Sequence, residues 1–297
     1  MITVAVPCTS ANLGPGFDGL GVALDLENRV KFSPANQLDI SVSGPGANRV
    51  SRETNNLVYR SFAHFYQSQN LPIPAVKLQI EIAIPLSRGL GSSATAIVAG
   101  LVGANEMAGK PLADNKLLEL ATELEGHPDN VAPALLGGCQ LALCTRKGVL
   151  SVPLAWHPSI HCVLVVPAFE LSTRKARAVL PKKILRTDGI FNSLHTALLV
   201  KALESGNPLW LQEALQDRLH QPYRMSLIPG FESLHQTALE LGAYGMVLSG
   251  AGPTVLALCP EEVAMEVGSS LVYTWSQHNI TAESHLLNYR TKGYRVF

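Results

Sequence analysis

The chain has 297 residues, of which 47% are hydrophobic and 15% are charged, and its 23 basic residues balance its 23 acidic ones. This composition supplies ample core material and argues against disorder, while the lack of a basic excess argues against a nucleic-acid-binding protein. The length favours two packed domains over one, and the expected partners are small molecules.

The N-terminus and the cysteines indicate the cellular compartment. Residues 1–7 contain neither a basic region nor a long apolar stretch, so we expect no signal peptide and no membrane association. The five cysteines are widely spaced and include no Cys-x-x-Cys pair, which is typical of reduced core residues. The predicted location is the cytoplasm.

Two predicted strands, 3–6 and 22–26, enclose a segment with four glycines at residues 7–21. Glycines at this density cost conformational entropy and are typical of a loop whose backbone passes close to another group. Asn12 and Asp18 are the polar residues of this loop best able to face a ligand. They are also common turn-forming residues, so both interpretations stay open.

A predicted amphipathic helix over residues 55–65 follows a charged, glycine-rich connection. Asn56 stands near its start, where a helix cap is the ordinary explanation. The alternating apolar residues of segment 76–84 then predict a half-buried strand.

The segment 85–94 reads Pro-Leu-Ser-Arg-Gly-Leu-Gly-Ser-Ser-Ala and precedes an apolar stretch over 94–104. That stretch predicts a buried helix, because it is too apolar for a surface helix and too short to cross a bilayer. Gly89 and Gly91 have no Cβ, so an anion can approach the loop backbone, and the helix end supplies N–H groups and a favourable dipole. The segment therefore predicts a phosphate-binding loop.

A second interpretation of this loop is a tight turn before a helix capped by Ser92 or Ser93. We favour a ligand because a buried helix end beside an open loop leaves N–H groups without partners. The loop is not a Walker A element, since the only Gly-Lys pair, Gly109-Lys110, precedes a proline. It is not a Rossmann fingerprint either, because the third glycine is missing.

Residues 115–138 predict a helix that ends at Gly126, followed by a polar cluster that begins at His127. Glu123 and Glu125 fall in the last turn, where the helix dipole disfavours a carboxylate by ~0.3–1 kcal/mol. Either a cation lies nearby or both carboxylates are solvated. A transition metal held by His127 with Glu125 and Asp129 is a weaker alternative, because oxygen ligands suit Mg²⁺ better.

In the second half, a strand over 139–144 is followed by a predicted domain boundary near residue 157 and a strand over 161–166. Residues 171–181 predict a helix with basic residues in its first turns, where either an anion or a solvated basic face explains them. Helices follow over 194–204 and 210–219, with His195 on the first as a weak candidate to face a cleft. Two short strands over 243–258, a helix over 261–275 and a polar tail complete the chain.

Three segments resemble motifs of the GHMP kinases, the superfamily that includes galactokinase, homoserine kinase and mevalonate kinase. Residues 85–94 match the second motif, Pro-x-x-x-Gly-Leu-Gly-Ser-Ser-Ala, at every fixed position, and residues 243–258 resemble the third motif. Residues 7–18 resemble the first motif of the homoserine kinase branch. Mevalonate kinases and galactokinases have an early Lys or Arg there, whereas the first lysine of this chain is Lys31, so this departure counts against those relatives.

The resemblance implies an α+β fold of two domains. An N-terminal nucleotide-binding domain like domain 2 of ribosomal protein S5 would span residues 1–157, and a ferredoxin-like substrate domain would span residues 158–297. It implies ATP and Mg²⁺ as cofactors, L-homoserine as the phosphorylated substrate, a product on the way to threonine, and a homodimer. A mevalonate- or sugar-type kinase and a non-catalytic binding protein on the same scaffold remain as alternatives.

The resemblance also assigns roles to individual residues. ATP is expected to contact Asn56 and the loop and helix start Pro85, Leu86, Ser87, Arg88, Gly89, Leu90, Gly91, Ser92, Ser93, Ala94 and Thr95. The predicted metal ligands are Ser93 and Glu125. The predicted substrate residues are Asn12, Asp18, Asn130, Thr173, Arg177 and Arg224, with the two arginines at the carboxylate and with Asp18 and Asn130 as the catalytic candidates. Positioning by Asp18 is favoured over proton abstraction.

Overall fold

A computed structural model describes residues 1–297 and contains eleven strands and ten α-helices. The strands are β1 (Ile2–Ala11), β2 (Leu20–Pro34), β3 (Asp39–Ser43), β4 (Val76–Glu81), β5 (Cys139–Thr145), β6 (Gly148–Leu154), β7 (His161–Pro167), β8 (Gly245–Leu248), β9 (Val255–Cys259), β10 (Ala282–Leu287) and β11 (Arg295–Val296). The helices are α1 (Leu57–Ser68), α2 (Ser92–Met107), α3 (Asp114–Glu125), α4 (Pro128–Leu136), α5 (Thr173–Ala178), α6 (Arg186–Ser205), α7 (Pro208–Ala214), α8 (Gln221–Arg224), α9 (Phe231–Glu240) and α10 (Glu261–Gln277).

The first sheet has seven strands and carries α1 to α4 on one face. Its strand order is β11-β1-β2-β4-β3. In addition, β5 pairs with the first residues of β2, and β6 pairs with β5. All its pairs are antiparallel except β3 with β4, which is parallel. Strands β1 and β2 point Val4, Val6, Val30 and Phe32 toward the helices, where they pack with apolar residues of β4 and of α1 to α4 in a core of 28 buried residues.

The second sheet has four antiparallel strands in the order β10-β7-β9-β8. In chain order these strands and the helices between them give the β-α-β-β-α-β arrangement of a ferredoxin-like domain. One face of the sheet packs on α9 and α10. The other face shares a core with the first sheet, with α6 and α7 filling the space between them. The predicted α+β architecture is confirmed.

The predicted elements are present, but several have other bounds, since β2 continues to Pro34 and α6 begins at Arg186. Strands β3 and β6 and helix α4 were not predicted. Strand β1 continues to Ala11, so the predicted glycine-rich loop is shorter than expected and begins at Asn12. The predicted polar tail after α10 instead forms β10 and β11, which the sequence analysis missed. The sequence does not reveal these strands, because the apolar residues of the edge strand β10 do not alternate with polar ones and β11 contains only two residues.

The chain passes from the first sheet to the second between Leu154 and His161. The predicted boundary near residue 157 falls in this connection, and we retain it as a proposed division. The predicted second domain, residues 158–297, does not keep its last residues in the second sheet, because β11 pairs with β1 of the first sheet. None of the ten α-helices combines the length and the hydrophobicity that a membrane span requires.

Helix α2 lies in the interior, as predicted from its apolar sequence. Most of its residues from Ala94 to Asn105 are buried between the sheet, α1 and the neighbouring helices. Gly100 allows α1 to approach closely, since a Cβ added there would lie 2.7 Å from Cβ of Ser61 and 3.0 Å from the backbone nitrogen of Phe62. The position of α2 therefore depends on a small residue at this crossing.

The substitution Gly100→Val tests this crossing. Because the added side chain overlaps the backbone of α1, we expect a loss of about 1–3 kcal/mol in the free energy of unfolding, measured by urea denaturation. Gly189→Ala in α6 is the control, since its added Cβ would meet nothing nearer than 3.7 Å and alanine favours a helix by about 0.8–1 kcal/mol over glycine. Equal stability of Gly100→Val and the unmodified chain would contradict the close packing.

Candidate active site

The N-terminus of α2 opens into a cavity of about 460 Å³ between the two sheets. Gly91 precedes the helix in the left-handed conformation, with φ of 65°, and no side chain caps the helix. The backbone N–H groups of Ser92 and Ser93 donate to no acceptor in the protein, and the first intrahelical bond is donated by Thr95. The alternative in which a serine caps this helix is therefore wrong, and the end of α2 is available to an anion.

The glycine loop is fixed from three sides. The hydroxyl of Ser249 donates to the Gly89 carbonyl at 2.7 Å, and the N–H of Thr9 donates to the Leu90 carbonyl at 3.2 Å. Gly89 has a φ of 80°, and a Cβ added there would lie 2.8 Å from the Gly252 carbonyl oxygen. Only glycine fits this position, because both the conformation and the space exclude a side chain.

Arg88 uses its guanidinium to hold the loop against the second domain. The guanidinium donates to the backbone carbonyls of Pro167 and Ala168 at the end of β7 and lies near Glu170. This arrangement directs the positive charge toward those protein acceptors. Arg88 lines the cavity, but its side chain supports the loop.

All predicted site residues except three line the cavity. Pro85, Leu90 and Ala94 are the exceptions, and the side chains of Leu90 and Ala94 belong to hydrophobic cores. Their predicted contribution to ATP binding is thereby limited to backbone groups. Asn56 caps α1, accepting hydrogen bonds from the N–H groups of Val58 and Tyr59, which is the ordinary explanation given for it above.

The apolar end of the cavity lies between β2, β4 and the starts of α1 and α2. Val30, Val58, Ile80 and Ile82 line it, and all four are buried. A flat aromatic group would find apolar contact there and polar backbone at the edges, which is the usual composition of a small-molecule site.

Ser93 and Glu125 meet at the cavity wall, as the predicted metal site requires. The Ser93 hydroxyl donates to the Glu125 carboxylate at 2.6 Å, and Glu125 is half-buried at the end of α3. Burial raises the pKa of the Glu125 carboxyl, against the lowering effect of the hydrogen bond from Ser93. One hydroxyl and one carboxylate fit Mg²⁺, which keeps several waters and takes its remaining ligands from substrate phosphates.

A second polar cluster lies at the far end of the cavity, where loop 12–19 meets the second domain. The Asn12 amide donates to the Gly250 carbonyl at 2.8 Å and accepts from the Asp18 N–H at 3.0 Å. Asn12 and Asp18 both have positive φ values, 73° and 57°, which these residue types tolerate better than most. Asn12 therefore connects loop 12–19 to the glycine-rich segment around Gly250.

Arg177 forms a two-pronged ion pair with Asp18. Its Nη2 lies 2.7 Å from Oδ1 and its Nη1 lies 3.1 Å from Oδ2. The pair is about one-third exposed to the cavity, and the hydrogen bonds to Asp18 raise the pKa of Arg177. Thr173, at the start of the same helix, also lines the cavity.

Arg224 is almost fully buried, with 2% of its surface exposed. Its Nε donates to the Ala176 carbonyl at 3.1 Å, and its Nη1 donates to the Gly250 carbonyl at 3.0 Å. Its Nη2 donates to no protein acceptor, and the residue lines the cavity. Burial and the charge of Arg177 lower the pKa of Arg224 to about 10, so Arg224 remains charged at neutral pH and has N–H groups free for an anion.

Asn130 sits at the start of α4 between the two clusters. It accepts a hydrogen bond of 2.7 Å from the hydroxyl of Thr9 and donates to Asp129 at 3.3 Å. Asp129 also contacts His127, with 2.6 Å between Oδ1 and Nδ1. Burial alone would lower the pKa of His127, but the hydrogen bond to Asp129 and its negative charge produce a net rise.

Sequence reasoning missed the supporting residues of the site. Thr9 lies in a strand and shows no motif signal of its own, while the importance of Phe17 follows only from the arginines packed around its ring, Arg177 at 5.7 Å and Arg224 at 5.1 Å from its centroid. His195 is held by the Phe191 carbonyl and Glu213 and does not line the cavity.

Two family models match the chain. The model described as the GHMP kinases N terminal domain matches residues 56–138, and the model described as GHMP kinases C terminal matches residues 199–276. Together with the buried helix and its glycine loop, these matches define the class of protein, the GHMP kinases.

Individual relatives narrow this class. The homoserine kinases of a Synechococcus and a Synechocystis strain are each 52% identical over 298 residues, covering 99% of this chain and 97% of each relative. The crystal structure of homoserine kinase from Cytophaga hutchinsonii has a TM-score of 0.90 and 29% identity, and the match covers 100% of this chain and 97% of that one. The chain belongs to the homoserine kinase family, which confirms the resemblance inferred from its motifs.

The substitution Thr9→Val tests the link between Thr9 and Asn130. The change keeps the shape of the side chain but removes the hydroxyl, so the buried Asn130 oxygen loses its donor, and we expect the free energy of unfolding to fall by ~1–3 kcal/mol. Thr291→Val is the control, because Thr291 is exposed and its hydroxyl makes no hydrogen bond. Urea denaturation of both variants gives the comparison, and an unchanged Thr9→Val variant would rule out a structural hydrogen bond.

Proposed function

We propose that this enzyme transfers the terminal phosphoryl group of ATP to the side-chain hydroxyl of L-homoserine. The product would be O-phospho-L-homoserine, an intermediate on the way to threonine. The observation that carries the proposal is the pairing, within one cavity, of an uncapped helix end with a cluster of two arginines and an aspartate. The helix end suits a triphosphate, and the cluster of arginines and aspartate suits the carboxylate and ammonium groups of an amino acid.

The triphosphate would bind at the loop from Ser87 to Ser93. The free N–H groups at the start of α2 and the helix dipole stabilise negative charge there, and the apolar end of the cavity offers a place for the base. Glu125 and Ser93 would hold Mg²⁺, which, when bound, neutralises charge on the phosphate oxygens.

The amino-acid end of the substrate would bind at Asp18, Arg177 and Arg224. An amino acid carries both a carboxylate and an ammonium group, so it can replace the Arg177–Asp18 ion pair by one pair to each residue. The free Nη2 of Arg224 supplies a further donor to the carboxylate, and a guanidinium suits this task because it binds carboxylates through paired hydrogen bonds. Asn12 and Asn130 line the space between this end and the phosphates.

The chemistry proposed for the site is placement and charge stabilisation. Phosphoryl transfer passes through a loose transition state, so alignment of the hydroxyl with the terminal phosphate supplies much of the catalysis. Asp18 is engaged by Arg177 and Asn130 cannot accept a proton as a base would. Both catalytic candidates are therefore proposed as positioning groups.

Three further assignments remain proposals. The division near residue 157 rests on the change of sheet, and the cytoplasmic location rests on the five free cysteines. A homodimer rests on the family resemblance alone.

A panel of acceptors tests the proposed reaction. Formation of ADP would be measured with ATP, Mg²⁺ and one of L-homoserine, mevalonate, galactose or shikimate. We expect ADP formation above background with L-homoserine only. Activity with mevalonate or galactose would support another kinase of the same superfamily, and no activity with any acceptor would support a binding protein.

The substitution Arg224→Ala tests the carboxylate site. Loss of a buried guanidinium from an ion pair costs about 2–5 kcal/mol, so we expect the KM for L-homoserine to rise roughly 30-fold or more. The KM for ATP should change far less. Arg218→Ala is the matched control, because Arg218 is half exposed and packs on Phe191 outside the cavity. Equal rises in both KM values would contradict the assignment.

The substitution Glu125→Gln tests the metal site. The amide keeps the size of the side chain but loses the charge that a divalent cation requires. We expect the Mg²⁺ concentration for half-maximal activity to rise about tenfold or more, by analogy with changes near metal ligands. Glu123→Gln is the control, because Glu123 is exposed and lies beside His64. If both variants have the Mg²⁺ dependence of the unmodified enzyme, Glu125 is not a ligand.

A further inference from the structure

His220 lies directly behind the arginine cluster but does not line the cavity. It is completely buried, with 0% of its surface exposed. One ring nitrogen faces loop 12–19 of the first domain and the other faces Arg224. His220 therefore connects the two parts of the proposed amino-acid site from outside.

The two contacts of His220 define its protonation state. Its Nε2 lies 2.7 Å from the carbonyl oxygen of Gly14, which can only accept, so Nε2 carries the proton. Its Nδ1 lies 3.2 Å from Nη1 of Arg224, which can only donate, so Nδ1 is unprotonated. The ring is a neutral imidazole with one donor and one acceptor, both in use.

The ring also supports Phe17, the residue before Asp18. The two rings stack with centroids 4.9 Å apart and planes inclined by 17°, and the Arg224 guanidinium lies 5.1 Å from the Phe17 centroid. A rotation of His220 would disturb Phe17 and Arg224 together. The position of Asp18 is then coupled to that of Arg224 through one side chain.

Asp217 holds the backbone that carries His220. Its carboxylate accepts hydrogen bonds from the N–H groups of His220 and Gln221 at 2.9 and 2.7 Å, and from the side chain of Asn192 at 2.7 Å. Asn192 in turn donates to the Pro15 carbonyl at 3.2 Å. The same buried carboxylate thus anchors both the histidine and a second contact to the loop.

We propose that His220 is a positioning residue that sets the Arg224 guanidinium and the Asp18 loop in one geometry for the amino-acid substrate. This inference rests on the proposed function, since it assigns the two ends of the substrate to Arg224 and Asp18. The ring acts through these residues and touches no reacting atom.

The charges around His220 support a neutral ring. Arg224 contacts the ring, and Arg177 lies 5.7 Å from the centroid of Phe17. Asp217 approaches Nε2 to 3.6 Å, and Asp18 pairs with Arg177. Burial lowers the pKa of His220, and the charge of Arg224 acts in the same direction while that of Asp217 opposes it. A protonated ring would lose the bond that it accepts from Arg224.

Two substitutions distinguish the effect of the hydrogen bonds of His220 from the effect of its side-chain volume. His220→Leu fills the space but removes both bonds, and we expect the KM for L-homoserine to rise about tenfold or more, because small misplacements of binding groups are costly. The KM for ATP should stay within about twofold, since the uncapped end of α2 is untouched. His220→Gln restores one donor and one acceptor and should recover most of the loss. An unchanged KM for L-homoserine in His220→Leu, or equal rises in both KM values, would overturn the inference.

The control and the double variant exclude a general loss of stability. His235→Asn changes a half-buried histidine beside Phe231, on the far side of the second sheet, and should leave both KM values unchanged. If His220 acts through Arg224, then His220→Leu should raise the KM for L-homoserine far less in the Arg224→Ala background than in the unmodified enzyme. Full additivity of the two effects would refute that route.

Hydrogen exchange tests the same inference without a substrate. We expect the backbone amides of residues 12–19 to exchange faster in His220→Leu than in the unmodified protein and in His220→Gln, with amides 95–105 of α2 unaffected. Equal exchange of residues 12–19 in all three proteins would refute the positioning of the loop. If the unmodified enzyme does not phosphorylate L-homoserine, the proposed function fails, while this measurement still decides whether His220 holds the loop.

Discussion

The site depends on a helix terminus that is held at the wall of a cavity without protein acceptors. Helix α2 is buried because its residues are apolar, and the left-handed glycine before it prevents a side-chain cap. The N–H groups of Ser92 and Ser93 have no acceptor in the protein, and the helix dipole adds positive potential there, so this helix end is suited to an anion. The surrounding loops form the walls of the cavity into which this helix end opens.

The glycine loop keeps its shape because the second domain holds it. Ser249 and Arg88 connect it to loop 249–254 and to the end of β7, and the N–H of Gly250 donates to the Ala11 carbonyl. Loop 249–254 therefore contacts both the glycine loop before α2 and the loop that carries Asp18. This one short loop therefore contacts both the proposed ATP site and the proposed amino-acid site.

Much of this site follows from local sequence signals. Glycines, the serine pair and the apolar helix predict the loop before α2 as an anion site, which stays a prediction. Helix-stop chemistry predicts the end of α3 at Gly126, which its left-handed φ of 91° confirms. The family resemblance assigned Ser93 and Glu125 to one metal site and Asp18 and Arg177 to one substrate site, and only the structure shows the Ser93–Glu125 and Asp18–Arg177 contacts. Their partners stand 32 and 159 residues apart, and no periodicity connects positions at such distances.

The sequence by itself determined the buried α2 and the end of α3 at Gly126, because periodicity and glycine placement act over short segments. The α+β class and the roles of the site residues followed from the motifs that the chain shares with the GHMP kinases. Only the tertiary structure decided that Arg88 supports the loop, that β11 returns to the first sheet and that His220 joins Gly14 to Arg224. These outcomes depend on which side chains face each other after two sheets pack together. Each polar side chain could pair with several others, and the one it contacts is fixed by long-range packing, which local sequence patterns do not reveal.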